Sequence, residues 1–310
     1  MSLKKTLLSV FVSSVLFPFS LAAYQISFEP KISYSNEFYS DFFYTEDDQL
    51  KSRLDYCASF LFKTGLETGI TFSHSKINFC FLTALPFRCG TLYDNDWKVE
   101  GLQTDRSFHN LRANLTADFS LEYKFDFPLT PHINLSPAVN VSYSFRDFGA
   151  EQGIAYKGTA YWTGLDKNYS WDSGYAVQKK VYGIGYTSNI FSIYTGFESI
   201  FSFSSHDFIF DAMISPFSYC FATDHHLNAD EGHWYQMIQT GFFTFYDIFA
   251  VYSYSFTNES KIALGIDLNF STEMPGEFYY GYFAEEADLS YEKSALAVRK
   301  FSFTISYVLK

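Results

Sequence analysis

Along most of the chain, hydrophobic and polar residues alternate one by one. Phe119, Leu121, Tyr123 and Phe125 are interleaved with Asp118, Ser120, Glu122 and Lys124. Leu135, Val139, Val141, Tyr143 and Phe145 are interleaved with Ser136, Ala138, Asn140, Ser142 and Ser144. Ile262 to Phe270 and Phe301 to Leu309 repeat the pattern. Successive side chains on a strand point to opposite faces, so a period of two predicts strands with one apolar and one polar side. A soluble sandwich alternates as well. Two features point instead to a membrane. The apolar face is largely Phe, Tyr, Leu and Ile, and each segment runs about 9–11 residues, the length a tilted membrane strand needs.

Turn signals fall at Lys63-Thr64-Gly65, Asp126 to Pro131, Ser205-His206-Asp207 and Thr257-Asn258-Glu259. Longer polar stretches fall near residues 33–52, 92–112, 147–178, 222–233 and 272–296. Short and long connections thus alternate, as in outer-membrane barrels, whose short turns face the periplasm. Five long stretches predict five hairpins: an all-β, transmembrane, antiparallel up-and-down barrel of about ten strands. No linker divides the chain, and a single domain over 23–310 is expected. Ahead of it, Lys4 and Lys5 precede an apolar run from Leu7 to Phe19 and the small-x-small site Ser20-Leu21-Ala22. That is the pattern of a signal peptide over 1–22. No apolar run after it reaches the roughly 18 residues of a helical span.

Composition adds to this picture. The chain carries 37 Phe and 25 Tyr at a mean hydropathy of -0.07. Apolar surface is therefore abundant but never concentrated in one run, as a barrel requires. The formal net charge of -12 argues against nucleic acid, which needs a basic footprint, and suits cationic partners. Acids cluster at Glu46-Asp47-Asp48, Asp94/Asp96, Asp230-Glu231 and Glu285-Glu286 with Asp288. Such clusters either rim one barrel mouth or lie in solvated loops. Cys57, Cys80, Cys89 and Cys220 have no metal-ligand spacing, and an exported chain permits disulfides whose pairing spacing does not give.

The chemistry lies in Asp94-Asn95-Asp96-Trp97 and, far downstream, Asp224-His225-His226. Residues two apart on a strand share a face, so Asp94 pairs with Asp96 and Asp224 with His226. If the two strand ends face each other, an aspartate pair stands opposite an Asp–His dyad, and the constellation can hold and deprotonate a water. A neutral His226 accepts a proton near pH 7, and Asp224 orients its ring and stabilises the imidazolium. The plain alternative is that Asp-Asn-Asp is an ordinary turn-prone loop and His226 a solvated loop histidine. The chemical alternative is a Zn²⁺ or Ca²⁺ site made by the same four residues, although the helical His-Glu-x-x-His pattern is absent.

With these residues placed, the chain resembles the omptin family of outer-membrane endopeptidases, in order and spacing over essentially the whole mature chain. The resemblance is carried by Phe28-x-Pro30, Leu54-Asp55-Tyr56, Asp94-Asn95-Asp96-Trp97, Thr104-Asp105-Arg106-Ser107-Phe108-His109 and Asp224-His225-His226. It implies a ten-stranded barrel in the outer membrane with an extracellular cleft, Asp94 and Asp96 as catalytic couple, Asp224 and His226 as dyad, and direct attack by water. It implies no cofactor and no metal. Ser107 and His109 match residues near the family's cleft and are not expected to be catalytic. Some positions depart from the pattern. Ala222 replaces an acid that helps hold a basic substrate side chain, and the acid of the first long loop aligns near Phe43 or Asp41 and is not clearly retained, so cleavage between two basic residues is not expected. The family's lipid A motif aligns with Tyr143-Ser144-Phe145-Arg146-Asp147 and keeps only the Tyr, so a strict need for lipopolysaccharide is not expected.

Two function classes follow. One is a monomeric surface endopeptidase acting on cationic or extended peptides, with membrane lipid around the barrel. The other is a non-catalytic barrel, an adhesin or a small pore, with a decayed pocket. Retention of all four catalytic-type residues favours the first, and Ala222 favours the second.

Overall fold

The computed structural model describes residues 24–97, 103–157, 175–177, 183–226, 232–257, 260–282 and 290–309. The expected signal peptide and the acids Asp230, Glu231, Glu285, Glu286 and Asp288 lie outside them. Ten long strands form the wall. They are β1 (Tyr24–Tyr44), β2 (Leu50–Phe72), β3 (Ser75–Ala84 continuing as Phe87–Asp96), β4 (Asp105–Phe125) and β5 (Ile133–Lys157). They continue with β6 (Ile184–Phe203), β7 (His206–His226), β8 (His233–Gly241 continuing as Phe245–Thr257), β9 (Ser260–Ser271 continuing as Met274–Tyr282) and β10 (Ser290–Leu309). Each pairs antiparallel with its chain neighbours, and β10 closes on β1, from Phe28 opposite Leu309 to Tyr44 opposite Lys293. The short segments Phe127–Thr130 and Tyr175–Val177 add to β5. The fold is the up-and-down transmembrane barrel that the alternation predicts.

The alternation sorts as expected. Phe119, Leu121, Ile262, Leu264, Ile266, Phe301, Phe303 and Ile305 are exposed on the outer face, where lipid gives such a belt its solvent. Inward positions of the same strands carry charge. Lys31 pairs with Glu67 at 2.6 Å, Lys261 with Asp207 at 2.7 Å, and Lys124 with Glu198. They line an interior cavity of about 740 Å³ near the short turns, where water can solvate what the pairs do not.

The turn expected at Lys63-Thr64-Gly65 is not one. These residues lie inside β2, with Thr64 and Gly65 opposite Thr83 and Leu82, and the hairpin is at Ser73-His74. Gly65 serves close approach rather than reversal, because a Cβ there would sit 1.8 Å from the Phe81 carbonyl oxygen. Lys63 turns inward to Glu37 and to Asp118 at 2.6 Å.

The strands are also about twice the length that alternation suggests. At about 3.3 Å per residue, some twenty residues exceed what a bilayer requires, so the end bearing the long connections stands beyond the apolar belt. There the interior is packed. Tyr39, Leu54, Tyr56, Leu92, Leu111, Phe148, Tyr186 and Leu296 are buried in one cluster. Tyr56 stacks on Tyr186 with centroids 4.0 Å apart, and Phe148 lies nearly parallel to both. Beneath this stack Arg146 is fully buried. Its Nε and Nη2 donate to Glu37 at 2.6 and 3.0 Å, and Nη2 also to Asp118 at 2.8 Å. Aromatic stack and ion-pair layer separate the lower cavity from the loop end.

Candidate active site

Each predicted site residue sits at the loop end, on the inner face. On β3, Leu92 is buried inward and Tyr93 exposed outward against the Phe108 ring. The pleat therefore turns Asp94 and Asp96 inward. Asp94 lies between Leu54 of β2 and Ser107 of β4, and Asp96 between Ser52 and Asp105. Thr104 ties down the connection that follows, donating N–H to the Asp96 carbonyl at 2.8 Å. On β7, Cys220, Ala222 and Asp224 are buried inward in turn, and His225 falls on the other face, opposite Gly185 and Trp234. The period of two thus selects His226, as the sequence implies.

His226 Nε2 donates to Asp224 Oδ2 at 3.0 Å. The Asp224 side chain is 1% exposed and that of His226 23%, so the carboxylate is sealed while the ring reaches the mouth. Asp94 and Asp96 face it across the opening, close enough for their charges to act on it. Burial pulls the His226 pKa down, but Asp224, through charge and hydrogen bond, and then Asp94 and Asp96 outweigh it and raise it to about 9. The sequence reading took His226 as neutral near pH 7. At pH 7 the structure holds it as an imidazolium instead, because Asp224, Asp94 and Asp96 act on it together.

Ser107, directly opposite Asp94, contacts His109 Nε2 at 2.7 Å. Burial, with the charge of His226 adding to it, lowers the His109 pKa, which keeps that ring neutral. Beyond the dyad, His233 stacks on His226 at 4.8 Å.

Below the dyad lies a residue the sequence left undecided. Asp41 on β1 is 1% exposed, with the Tyr186 hydroxyl beside its carboxylate. The Tyr56 hydroxyl and Asp224 Oδ1 are buried without hydrogen-bond partners among the described residues. Burial, reinforced by Asp224, pushes the Asp41 pKa up to about 8. Buried polar atoms left unpaired cost about 1–3 kcal/mol each, so a donor or water reaching Tyr56 and Asp224 Oδ1 would be bound favourably. Phe43, with Tyr235 and Phe278 around it, forms an apolar wall alongside. In the sequence, the resemblance places an acid near Phe43 or Asp41 without deciding between them.

Cys57, Cys80, Cys89 and Cys220 are all free thiols. Among the described residues, no three His, Cys, Asp or Glu side chains are grouped to hold a metal ion.

No family model and no curated protein matches the sequence. Solved structures do. The outer membrane protease OmpT from Escherichia coli superposes with a TM-score of 0.81 over 94% of this chain and 99% of its own, at 15% identity. The translocator domain of the autotransporter NalP from Neisseria meningitidis gives a TM-score of 0.36 at 5% identity, covering 99% of this chain and 94% of its own. Neisserial surface protein A gives 0.29 at 7%, covering 93% and 99%. The chain thus has an omptin-like fold.

Proposed function

We propose that this chain is an outer-membrane endopeptidase. Its site faces the cell exterior, and water activated between His226–Asp224 and Asp94–Asp96 attacks the peptide carbonyl. The observation that carries the reading is the hydrogen-bonded dyad, its carboxylate sealed and its ring partly open to the mouth, with two aspartates opposite. OmpT, which has this fold, is an outer membrane protease.

The steps follow from the groups. Nε2 is committed to Asp224, so Nδ1 of His226 is left to take the water proton once the ring is neutral. The hydroxide adds to the carbonyl carbon while Asp224 stabilises the imidazolium. Asp94 and Asp96 hold the water from the other side. Like charges so close favour uptake of a proton by the pair as negative charge develops on the carbonyl oxygen, and that proton is shared with the oxyanion. The imidazolium then returns its proton to the leaving amine, and no acyl-enzyme forms. A cationic substrate residue entering among Asp41, Asp94 and Asp96 offsets the charge that holds His226 protonated, and so frees the base.

Asp41 supports a substrate with one basic side chain, received beneath the dyad in place of the acid missing at Ala222. The aromatic wall favours apolar residues beside it. Incubating the barrel, refolded in detergent, with a diverse peptide library tests the reading. New termini that cluster next to one basic residue, and vanish in Asp94→Ala and His226→Ala, are expected. A folded wild-type barrel that yields no new termini, with or without lipopolysaccharide, would sink it.

A further inference from the structure

His226 ends β7 and His233 begins β8, directly across the ladder from it. Their rings lie 4.8 Å apart at 20°. Tyr235 meets both rings edge-on, at 5.3 Å and 73° to His226 and 5.4 Å and 89° to His233. The catalytic ring of the proposed peptidase is therefore held on three sides: Nε2 by Asp224, one face by His233, and one flank by Tyr235.

Stacked rings present faces to each other, not nitrogens. No proton passes directly between them, so His233 is not a relay. A neutral aromatic face does attract a cation resting on it. We propose that His233 is a positioning residue whose neutral ring lies against His226, stabilises the imidazolium formed when water gives up its proton, and keeps Nδ1 turned toward Asp94 and Asp96. This rests on the peptidase reading for its consequence, but the contact itself does not.

The charges around the pair fit that role. The groups acting on His226 are Asp224 on β7, Asp94 and Asp96 on β3, His109 on β4, and His233 and Tyr235 on β8. Burial, together with the charge of His226, holds the His233 pKa below its ordinary 6.5, with Asp224 pulling the other way. The pair therefore carries one positive charge across the neutral range, and it sits on His226.

The test is a histidine-resolved NMR titration of the refolded barrel, with peptide turnover alongside, for wild type, His233→Ala and His233→Phe. In His233→Ala the His226 midpoint is expected to fall by about half a pH unit, and kcat on the plateau above about pH 9, where the ring is neutral in both proteins, by about threefold with KM unchanged. His233→Phe, which keeps an aromatic face, should restore both. A ring that only excludes water would act in the opposite direction, since removing it relieves burial and raises the midpoint. A raised midpoint in His233→Ala, or a Phe variant no better than Ala, would overturn the proposal. If no variant cleaves peptide, the peptidase reading fails, and the direction of the midpoint still decides the stacking.

Discussion

At the scale of single residues, two groups with displaced proton equilibria would govern the proposed chemistry. His226 must be neutral to act as base, yet its carboxylate neighbours hold it protonated up to about pH 9. Because the folded pKa lies above the ordinary value, the base form is scarce below about pH 9 and accumulates as pH rises through it. kcat/KM should therefore climb from pH 7 toward 9 rather than level off near 6.5. Asp41, raised to about 8, is largely neutral at pH 7 and must ionise to pair with a cation. Binding a basic side chain should then release a proton below about pH 8. Asp41→Asn should abolish that release and raise KM for peptides with a basic residue by about tenfold to a hundredfold, in line with losing a charged hydrogen bond, while kcat for neutral peptides stays near wild type. Unchanged KM would remove Asp41 from the pocket. Asp94, Asp96, Asp224 and His226 were legible in the sequence because strand geometry makes residues two apart share a face. Asp41 was not, because its neighbours come from β2 and β10, opposite Leu54 and Leu296, and only ring closure brings it under Asp224.

At the scale of elements, β3, β8 and β9 are each interrupted between the lipid-facing and the loop-end halves, at Leu85-Pro86, around Phe242-Phe243 and at Thr272-Glu273. Pro86 supplies no ladder donor, which explains the first break, and Phe243 takes a positive φ of 57° at the second. These interruptions re-aim the upper segments that carry the site. Beyond the first break, β3 slips register against β4 between Arg88 and Gly90, and a Cβ on Gly90 would lie 1.8 Å from the Cys57 carbonyl oxygen. Gly90→Val should push the upper part of β3 off β2 and displace Asp94 and Asp96. Peptide cleavage should fall by at least about a hundredfold while the barrel still folds in detergent. Full activity in that variant would contradict the placement of the aspartate pair on this segment. Alternation predicted the strands but not their length. Polar residues above the membrane keep pairing in the ladder, and a polar stretch reads like a loop until its partners are known.

At the scale of the molecule, the barrel is wide enough for ten strands but not open from end to end. Tyr56, Tyr186 and Phe148 cross the interior, and Arg146, bound to Glu37 and Asp118, lies beneath them. Planar bilayers containing the refolded barrel should show no conductance steps, and regular single-channel steps would favour the pore. Arg146→Met should destabilise the barrel in urea titration by about 3–5 kcal/mol, since it leaves buried carboxylates short of their partner. The net charge of -12 should draw cationic peptides to the mouth, an attraction that salt screens over about 8–10 Å.

The most direct measurement is cleavage of a fluorogenic peptide with a single internal lysine or arginine, from pH 6 to 10, by the refolded wild-type barrel and by His226→Ala. The structure predicts wild-type turnover that rises toward pH 9 and a loss of about 10²–10⁴-fold in the variant, the range set by removing a general base. Equal cleavage by both barrels, or none by a folded wild type, would contradict the assignment of His226 and Asp224 as the engine of a peptidase.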